Sequence, residues 1–463
     1  MIASLALVSA AAAGCAAREL PPLGEALVVV DTDLPVPRVV SALRVDLYAI
    51  DGTWLDSRDV GRPDPRDWPV SFSVQAADDR AERDVVVRLR AHGARLRDAV
   101  GPARLVVDGA DETPSSEPEP ALTVDRLVLI RLRPGERGRL RVVARASCAG
   151  VEARVVPGAL ASCAEGEGAL EPVAAAALEP ELSTPPTSVA GSAARTPCPA
   201  PIGERDRACL EGGAFVLGAD DVSVVPDPTV PLAPERIARV RGFLLDREEV
   251  TVARFRDALA RGFVPPEPPV SNDGELGAAP ETACTFSAAP RGREAFALTC
   301  VTWATARALC TFDGGDLPTE AQWEYAATSA GRTAKATFPW GEEPPDCGRA
   351  VYGRLELAGI AGACEAAGSG PLPSHAAPAD RSPTGVHALG GGVAEWVRDA
   401  PTTYDDPCHA RVDASCARSS GGAHVVRGGA WASTAINVRS TARLAATGPS
   451  SFIGFRCVQE GSR

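Results

Sequence analysis

One stretch of the sequence, residues 424–457, constrains the fold more strongly than any other. It opens with Arg-Gly-Gly-Ala-Trp at 427–431, carries arginines at 439 and 443, and closes with Gly-Phe-Arg at 454–456. Adjacent glycines let a backbone adopt positive φ or approach another segment closely, and a neighbouring tryptophan supplies a large buried anchor. A glycine pair alone would indicate an ordinary turn, whereas the spaced set indicates one particular scaffold.

A second motif, Leu-Pro-Thr-Glu-Ala-Gln-Trp-Glu-Tyr-Ala-Ala at 317–327, predicts the start of a helix. Thr319 is a favoured N-cap residue and Gln322 follows three positions later, which is the spacing of a capping box. Glu320 places a negative charge at the positive end of the helix dipole. Trp323 shares one helical face with the alanines at 326 and 327, so the motif predicts packing in preference to catalysis.

Five further motifs occupy the second half of the chain: GGAFVLG at 212–218, GFLLDREEVT at 242–251, VTWATARALC at 301–310, FPWGE at 338–342 and SPTGVHALGGGVAEWVRD at 382–399. A helix should begin near Thr251, because Val252, Phe255 and Leu259 recur on one face. Together the motifs resemble the formylglycine-generating enzyme (sulfatase-modifying factor) family over nearly all of residues 197–463. The resemblance implies an α+β, C-type-lectin-like fold with long loops over a small mixed sheet.

The resemblance also implies an activity. The family oxidises a sulfatase cysteine to formylglycine, using copper bound by two cysteines just after an Arg-Gly-Gly-Ser segment. Here Ala430 replaces that serine, Ser433 stands where the first copper cysteine is expected, and residues 435–438, where the second is expected, contain no cysteine. Cu(I) prefers soft thiolate ligands. We therefore predict no catalytic residues and no copper, and keep the formylglycine-generating oxidase as the alternative.

The 382–399 motif corresponds to a calcium-binding loop of the family. The resemblance implies calcium ligands at Glu395 and at the backbone carbonyls of Gly391 and Val393, but Ala388 replaces the side-chain Asn or Asp ligand and Gly392 replaces the usual Asn. Calcium requires six to eight oxygen ligands. The alternative to calcium is a loop that Glu395 holds through backbone N–H groups.

Exposed loops on a rigid base are good binding surfaces. Trp431, Arg439 and Arg443 would then line a ligand groove in place of the family's catalytic site. The alternative for the same three residues is buried packing and internal salt bridges.

The chain starts with a short apolar run, residues 2–13, followed by Gly14 and Cys15. This run is too short to span a membrane and is typical of a signal peptide. Small residues before a cysteine resemble a bacterial lipobox, so we predict a signal peptide over 1–15 and lipidation of Cys15. Plain secretion, with Cys15 incidental, is the alternative.

Residues 24–150 show short period-two segments separated by Pro, Gly and Asp clusters, which predict a small β-sandwich. Segments at 127–132 and 140–144 flank Arg-Pro-Gly-Glu-Arg-Gly at 133–138 and predict a hairpin. Residues 151–196, rich in Ala, Glu, Pro, Ser and Thr, predict a semi-extended linker. Residues 197–463 form the family-like domain.

Thirteen cysteines in an exported chain imply disulfides. Sequence neighbours suggest the pairs Cys148–Cys163, Cys198–Cys209, Cys284–Cys300, Cys347–Cys364 and Cys408–Cys416, with Cys310 and Cys457 left over.

With a formal charge of −13, the chain lacks the excess of basic residues that indicates nucleic-acid binding. The leading hypothesis is a non-catalytic binding module of an extracytoplasmic protein, at the outer membrane or cell surface or else secreted. It would bind a peptide, protein or glycan at the cell envelope and meet the membrane only through a lipid anchor. A purely structural envelope component is a further alternative.

Overall fold

The computed structural model describes residues 23–77, 81–101, 103–163, 168–180, 187–201, 203–221, 227, 230–356, 360–416 and 422–461. The predicted signal peptide at 1–15, with Cys15, lies outside these residues. Among them, no helix combines the length and the apolar character needed to cross a bilayer.

The first part of the chain is built from strands. They are β1 (Glu25–Thr32), β2 (Ala42–Ala49), β3 (Trp54–Gly61), β4 (Val70–Gln75), β5 (Arg83–His92), β6 (Leu96–Asp98), β7 (Val106–Val107), β8 (Ala110–Asp111), β9 (Ser116–Pro118), β10 (Thr123–Leu132), β11 (Arg137–Ala144), β12 (Ala161–Ser162) and β13 (Glu171–Pro172). A three-stranded sheet has the order β11-β1-β4, and a four-stranded sheet has the order β10-β5-β2-β3. Alternate apolar residues of both sheets, such as Val28, Leu43, Val87 and Ile130, are buried in one core. This is the β-sandwich that the period-two segments predict.

The predicted hairpin over 127–144 is wrong. A turn does form, because Glu136 N donates to Arg133 O at 3.0 Å, but the strands on either side of it enter different sheets. β10 pairs with β5 in antiparallel fashion, while β11 pairs in parallel with β1. Both strands have an apolar face to bury, and placing one in each sheet lets those faces meet across the core.

The segment at 151–196, expected to be a free linker, contacts the sandwich in its described part. Val151 and Leu178 pack against the sandwich core, and Val189 N donates to Asp31 Oδ2 at 2.9 Å. Glu179 exchanges two backbone hydrogen bonds with Arg139 of β11. The backbone is extended, as its composition suggests, but isolated apolar side chains are enough to hold it on a preformed surface. Residues 181–186 lie outside the described part.

The second part contains three helices and several small sheets. Its elements are β14 (Arg207–Leu210), β15 (Gly213–Leu217), β16 (Arg236–Val240), β17 (Phe243–Asp246), α1 (Val252–Ala260), α2 (Trp303–Phe312), α3 (Glu320–Thr328), β18 (Ala394–Trp396), β19 (His424–Arg427), β20 (Arg443–Ala446), β21 (Ile453–Gly454) and β22 (Val458–Glu460). The sheets have the orders β14-β17-β22, β15-β16 and β20-β19-β18-β21. Long loops connect them, as the C-type-lectin-like expectation requires.

The helices follow the sequence signals closely. Thr319 and Gln322 form the complete capping box at the start of α3, and every residue of that helix is buried. Helix α1 begins after Thr251 and buries Val252 and Phe255. Leu259, however, is 37% exposed, so its predicted place on the packed face is wrong. It lies in the last turn of α1, where the core no longer covers that face.

All five predicted cysteine pairs are confirmed. The two cysteines that the prediction left over, Cys310 and Cys457, form a sixth disulfide. The sandwich also contacts the second part directly. Arg38 donates to the backbone oxygens of Ser329 at 2.8 Å and Ala214 at 2.9 Å, and Ala214 and Ile237 join the sandwich core cluster.

Candidate functional site

Two arginines of the 424–457 segment are buried against helix α3. The Arg427 guanidinium donates to Glu324 Oε2 at 2.6 Å and to Glu320 Oε1 at 3.0 Å. Arg443 donates to Glu320 Oε2 at 2.8 Å, and the Tyr404 hydroxyl donates to Glu320 Oε1 at 3.0 Å. Residues far apart in sequence therefore meet in one ion-pair cluster without access to water.

The charges in this cluster stabilise one another. Burial by itself would raise the pKa of Glu320, but Arg443 and then Arg427 outweigh it and hold that pKa below its ordinary value. Burial also raises the pKa of Tyr404 well above its ordinary value, so its hydroxyl stays protonated and can donate. The sequence predicts that Glu320 interacts with the helix dipole, whereas its main partners in the structure are two arginines.

The third arginine, Arg456, forms a separate buried pair. Its Nε lies 2.7 Å from Glu395 Oε2 and its second terminal nitrogen lies 2.6 Å from Glu395 Oε1. Trp323 Nε1 also donates to Glu395 at 2.9 Å. The remaining guanidinium N–H groups donate to the backbone oxygens of Asp246 and His387. Arg456 therefore ties the 382–399 loop to strand β17.

The two glycines of the Arg-Gly-Gly turn are needed for close backbone contact. A Cβ at Gly428, whose φ is +80°, would lie 2.7 Å from Leu389 O, and a Cβ at Gly429 would lie 2.5 Å from Gly390 O. The turn thus packs directly on the 389–392 backbone. Trp431 is fully buried behind it, donating from its backbone N to Gly392 O at 2.8 Å.

The predicted groove of Trp431, Arg439 and Arg443 does not form. Trp431 and Arg443 are each 0% exposed, because one anchors the turn and the other balances Glu320. Arg439 alone among the three reaches the surface, where it lies 3.5 Å from Asp221. The alternative of buried packing and internal ion pairs describes the two buried residues.

The positions implied for the copper site are occupied by a local turn. Ala430 N donates to Ser433 Oγ at 2.9 Å, and Ser433 N donates back to Ala430 O at 2.9 Å. Residues 435–438 form a short 3-10 helix. Ser433 is half-buried, with the half-buried apolar side chains of Ala432 and Phe452 packed against Trp431 nearby.

Residues 195–461 match the family described as the sulfatase-modifying factor enzyme 1-like domain. This chain belongs to that family. It is 30% identical to a formylglycine-generating enzyme of Streptomyces coelicolor, over 59% of this chain and 95% of the relative. It is 32% identical to one of Thermomonospora curvata, over 30% of this chain and 54% of the relative, so it spans only about half of that protein.

A third relative and a solved structure are also similar to this chain. The chain is 29% identical to the inactive C-alpha-formylglycine-generating enzyme 2 of Bos taurus, over 35% of this chain and 50% of the relative. Among solved structures, PvdO from Pseudomonas aeruginosa is 22% identical, with a TM-score of 0.41, over 55% of this chain and 94% of that chain. The family match confirms the expected α+β sulfatase-modifying-factor fold, here preceded by a β-sandwich.

The calcium loop of the family is held differently in this member. Both Glu395 oxygens are engaged by Arg456 and Trp323, and Ala388 offers no side-chain oxygen. A divalent cation at Glu395 would also lie beside the Arg456 charge, which repels it. The residues present therefore do not fit a calcium ion. The backbone N–H groups of Gly390 and Gly391 donate instead to Asp380, at 2.9 Å each.

A buried carboxylate that the sequence motifs did not reveal lies against the same loop. A Cβ at Gly392 would be 2.9 Å from Glu249 Oε1. Neither Glu249 oxygen makes a well-formed hydrogen bond, although the Ser374 hydroxyl is close enough to interact. Burial raises the pKa of Glu249 to about 8, Arg456 opposes that rise and Glu395 adds to it. The available sequence signal for Glu249 was its position in the Glu-Val-Thr motif, and that motif indicated only a strand.

Cysteine chemistry is restricted throughout the described chain. Each of the twelve cysteines there belongs to a disulfide. One pair, Cys408–Cys416, has the His409 ring beside it, with Nε2 3.4 Å from Cys416 Sγ. The order of the cysteines in the sequence predicts this pair but no role for His409, because adjacency in sequence does not determine which way the ring points.

Proposed function

We propose that this protein is a non-catalytic member of the family whose domain binds a peptide, protein or glycan. One observation carries the proposal: the positions at which the resemblance implies the copper cysteines, Ser433 and residues 435–438, offer no thiol. The described cysteines are all oxidised in pairs. A serine hydroxyl is a poor ligand for Cu(I), which selects thiolates.

The relatives support both this proposal and its main alternative. The bovine relative is named as an inactive enzyme, which agrees with a domain that keeps the fold without the chemistry. Two bacterial relatives are named as formylglycine-generating enzymes, which favours an oxidase that converts a sulfatase cysteine to formylglycine. Proteins that share a fold can differ in function, because function depends on the residues of the site. The residues at this chain's own site therefore favour the non-catalytic proposal.

The surface beside Ser433 is the part of the domain that we propose for binding. Ala432, Phe452, Leu355 and Leu372 are half-buried apolar residues packed around Trp431. Because Trp431 is fixed by Gly392 and Ser451, the base of this surface is rigid. A rigid apolar surface loses little conformational entropy when a ligand binds.

The test uses the full chain with Cu(I), oxygen and a fluorescent sulfatase-type cysteine peptide. Anisotropy reports peptide binding, while peptide mass and bound copper report chemistry. Binding without copper uptake or conversion would support the proposal, and Phe452→Ala should weaken it about tenfold, while Phe312→Ala, at an exposed phenylalanine on α2, should not. Stoichiometric copper with conversion would establish the oxidase. No binding would exclude this ligand class and favour a purely structural envelope component.

We further propose that the 382–399 loop works without calcium. Asp380 and Arg456 hold the loop through the contacts that a metal ion would otherwise supply. Thermal unfolding in calcium and in a chelator should therefore give the same Tm. A Tm that rises with calcium concentration would contradict this, since a ligand of the native state stabilises it by mass action.

An extracytoplasmic location is part of the same proposal. Six disulfides are typical of proteins that fold in oxidising compartments. A lipid anchor at Cys15 would place the binding domain at the cell envelope, with the sandwich and the 151–196 segment between it and the membrane.

A further inference from the structure

We propose that Cys408–Cys416 is a thiol–disulfide exchange site, at which a dithiol partner attacks Cys408 and His409 stabilises the departing Cys416 sulfur. The inference does not depend on the proposed binding function. It identifies one of six disulfides as chemically distinct and assigns it a partner class, namely a protein or small molecule that carries two thiols.

The geometry brings one imidazole to one disulfide. The two sulfurs and a ring nitrogen of His409 all lie within 4.8 Å of one another, and His409 Nε2 is 3.4 Å from Cys416 Sγ. A disulfide sulfur has no hydrogen to donate, so this contact is a hydrogen bond in the tautomer that carries its hydrogen on Nε2, which is the tautomer that the proposal assigns. Thr402 Oγ1, 3.0 Å away, can accept from the same N–H.

The charge state of His409 agrees with this assignment. Burial lowers the pKa of His409 to about 4, although Glu320 opposes the shift. At neutral pH the ring is therefore uncharged and carries a single N–H, which the proposal assigns to Nε2. As the S–S bond breaks, negative charge develops on Cys416 directly in front of that donor.

Accessibility separates the two sulfurs. Cys408 is half-buried in the 3-10 helix Pro407–Ala410, whereas Cys416 is only 4% exposed and His409 2%. An external thiolate therefore reaches Cys408, and Cys416 is the leaving group inside the protein. A better-stabilised leaving thiolate departs faster.

The exchange balances in two steps. The first thiolate of the partner bonds to Cys408 Sγ as the Cys408–Cys416 bond breaks, and the electron pair goes to Cys416 Sγ. The second thiolate of the partner then attacks its own bound sulfur and releases Cys408 as a thiolate. The partner dithiol loses two electrons and two protons to become a disulfide, and the protons end on Cys408 and Cys416.

Two other disulfides are at least as accessible but have the opposite electrostatic surroundings. Cys209 and Cys347 are exposed. Cys198 Sγ lies 3.4 Å from Phe243 O and Cys347 Sγ lies 3.6 Å from Ala363 O. Attack at the exposed Cys209 would leave the thiolate on Cys198, whereas attack at the exposed Cys347 brings the external thiolate to that sulfur. In both pairs the carbonyl oxygen repels the thiolate, whereas the N–H group of His409 attracts it. Exposure and electrostatics therefore predict different orders of reduction.

The experiment treats the full native chain with limiting dithiothreitol, alkylates the released thiols at intervals and locates them by peptide mass spectrometry. Cys408 and Cys416 should be alkylated first. Release of Cys198–Cys209 or Cys347–Cys364 before them would overturn the proposal, and this comparison needs no variant.

Variants then test the role of the ring. His409→Phe should slow reduction of Cys408–Cys416 about tenfold, because the thiolate that develops on Cys416 would lose a charge-assisted hydrogen bond. His409→Gln keeps an N–H donor and should recover most of the rate. Thr402→Val leaves the N–H wholly to sulfur, so the rate should be unchanged or higher. A folded His409→Phe protein with the native rate would overturn the assignment of His409.

Discussion

At the scale of single residues, three buried arginines of this protein are each paired with a glutamate. Arg427, Arg443 and Arg456 are each fully buried, and each contacts a glutamate within 2.8 Å. Removing one partner of such a pair leaves an uncompensated buried charge, which is far more costly than losing a surface pair.

Arg456→Met should therefore destabilise the protein by about 3–5 kcal/mol, because Glu395 would lose its counter-charge beside Glu249. Urea unfolding of the full chain measures the change. Arg439→Met, in the same segment but paired among the described residues with the exposed Asp221, should change stability by less than about 0.5 kcal/mol. Equal effects of the two substitutions would contradict the ion-pair assignment.

Glu249 should make stability fall as pH rises. Its folded pKa of about 8 lies above the unfolded value, so the folded state retains a proton that the unfolded state releases. The stabilising contribution of Glu249 is complete below about pH 4.5 and is lost as the pH rises through about 8. Between these two values the free energy of unfolding falls by about 1.4 kcal/mol per pH unit. Glu249→Gln should flatten this part of the stability profile, whereas Glu343→Gln, at an exposed carboxylate, should leave it unchanged.

At the scale of elements, local signals and long-range pairing behave differently. Helix α3 starts at its capping box because Thr319 accepts from Gln322 N at 3.1 Å and Gln322 accepts from Thr319 N at 2.8 Å. Strands β10 and β11 follow each other closely in sequence, yet they lie in different sheets. A helix cap depends on residues within four positions of one another, whereas the partner of a strand depends on packing across the whole core.

Thr319→Ala should destabilise the protein by about 1 kcal/mol, because it removes the acceptor for the Gln322 N–H at a buried helix end. Thr319→Ser keeps the hydroxyl and should lose much less. Chemical denaturation of the two variants side by side measures the difference, and an equal loss would assign the effect to the methyl group of threonine.

The same division explains what the sequence could and could not predict. The capping box, the α1 start and five of the disulfides follow from spacing, and the structure has all of them. Cys310–Cys457 joins residues 147 positions apart, which spacing does not predict. The partner of Glu395 and the burial of Trp431 and Arg443 depend on segments more than fifty residues away, such as α3. Motif resemblance located these residues in the site but did not determine whether they face solvent.

At the scale of the whole molecule, the sandwich and the family domain contact each other through Arg38 and through the ion pairs of Arg95 with Asp220 and Glu235.

The proposed attachment to the envelope depends on Cys15. Cys15→Ser should abolish incorporation of radiolabelled palmitate in a bacterial host and release the protein from the membrane fraction. Unchanged membrane association of the variant would contradict the lipid-anchor proposal and favour plain secretion or another mode of attachment.

The sheet β14-β17-β22 has a further consequence for the family domain. Its first strand and its last strand lie on either side of β17. Gln459 Nε2 in the last strand donates to Ala200 O at 2.6 Å, so the two ends of the domain lie close together. Cys310–Cys457 fixes the residue just before the last strand to helix α2. The chain therefore enters and leaves the domain in the same region of the structure. A circular permutant that joins these ends and opens at the exposed Val264 should therefore fold, and whole domains could be exchanged at this point without rearranging their interiors.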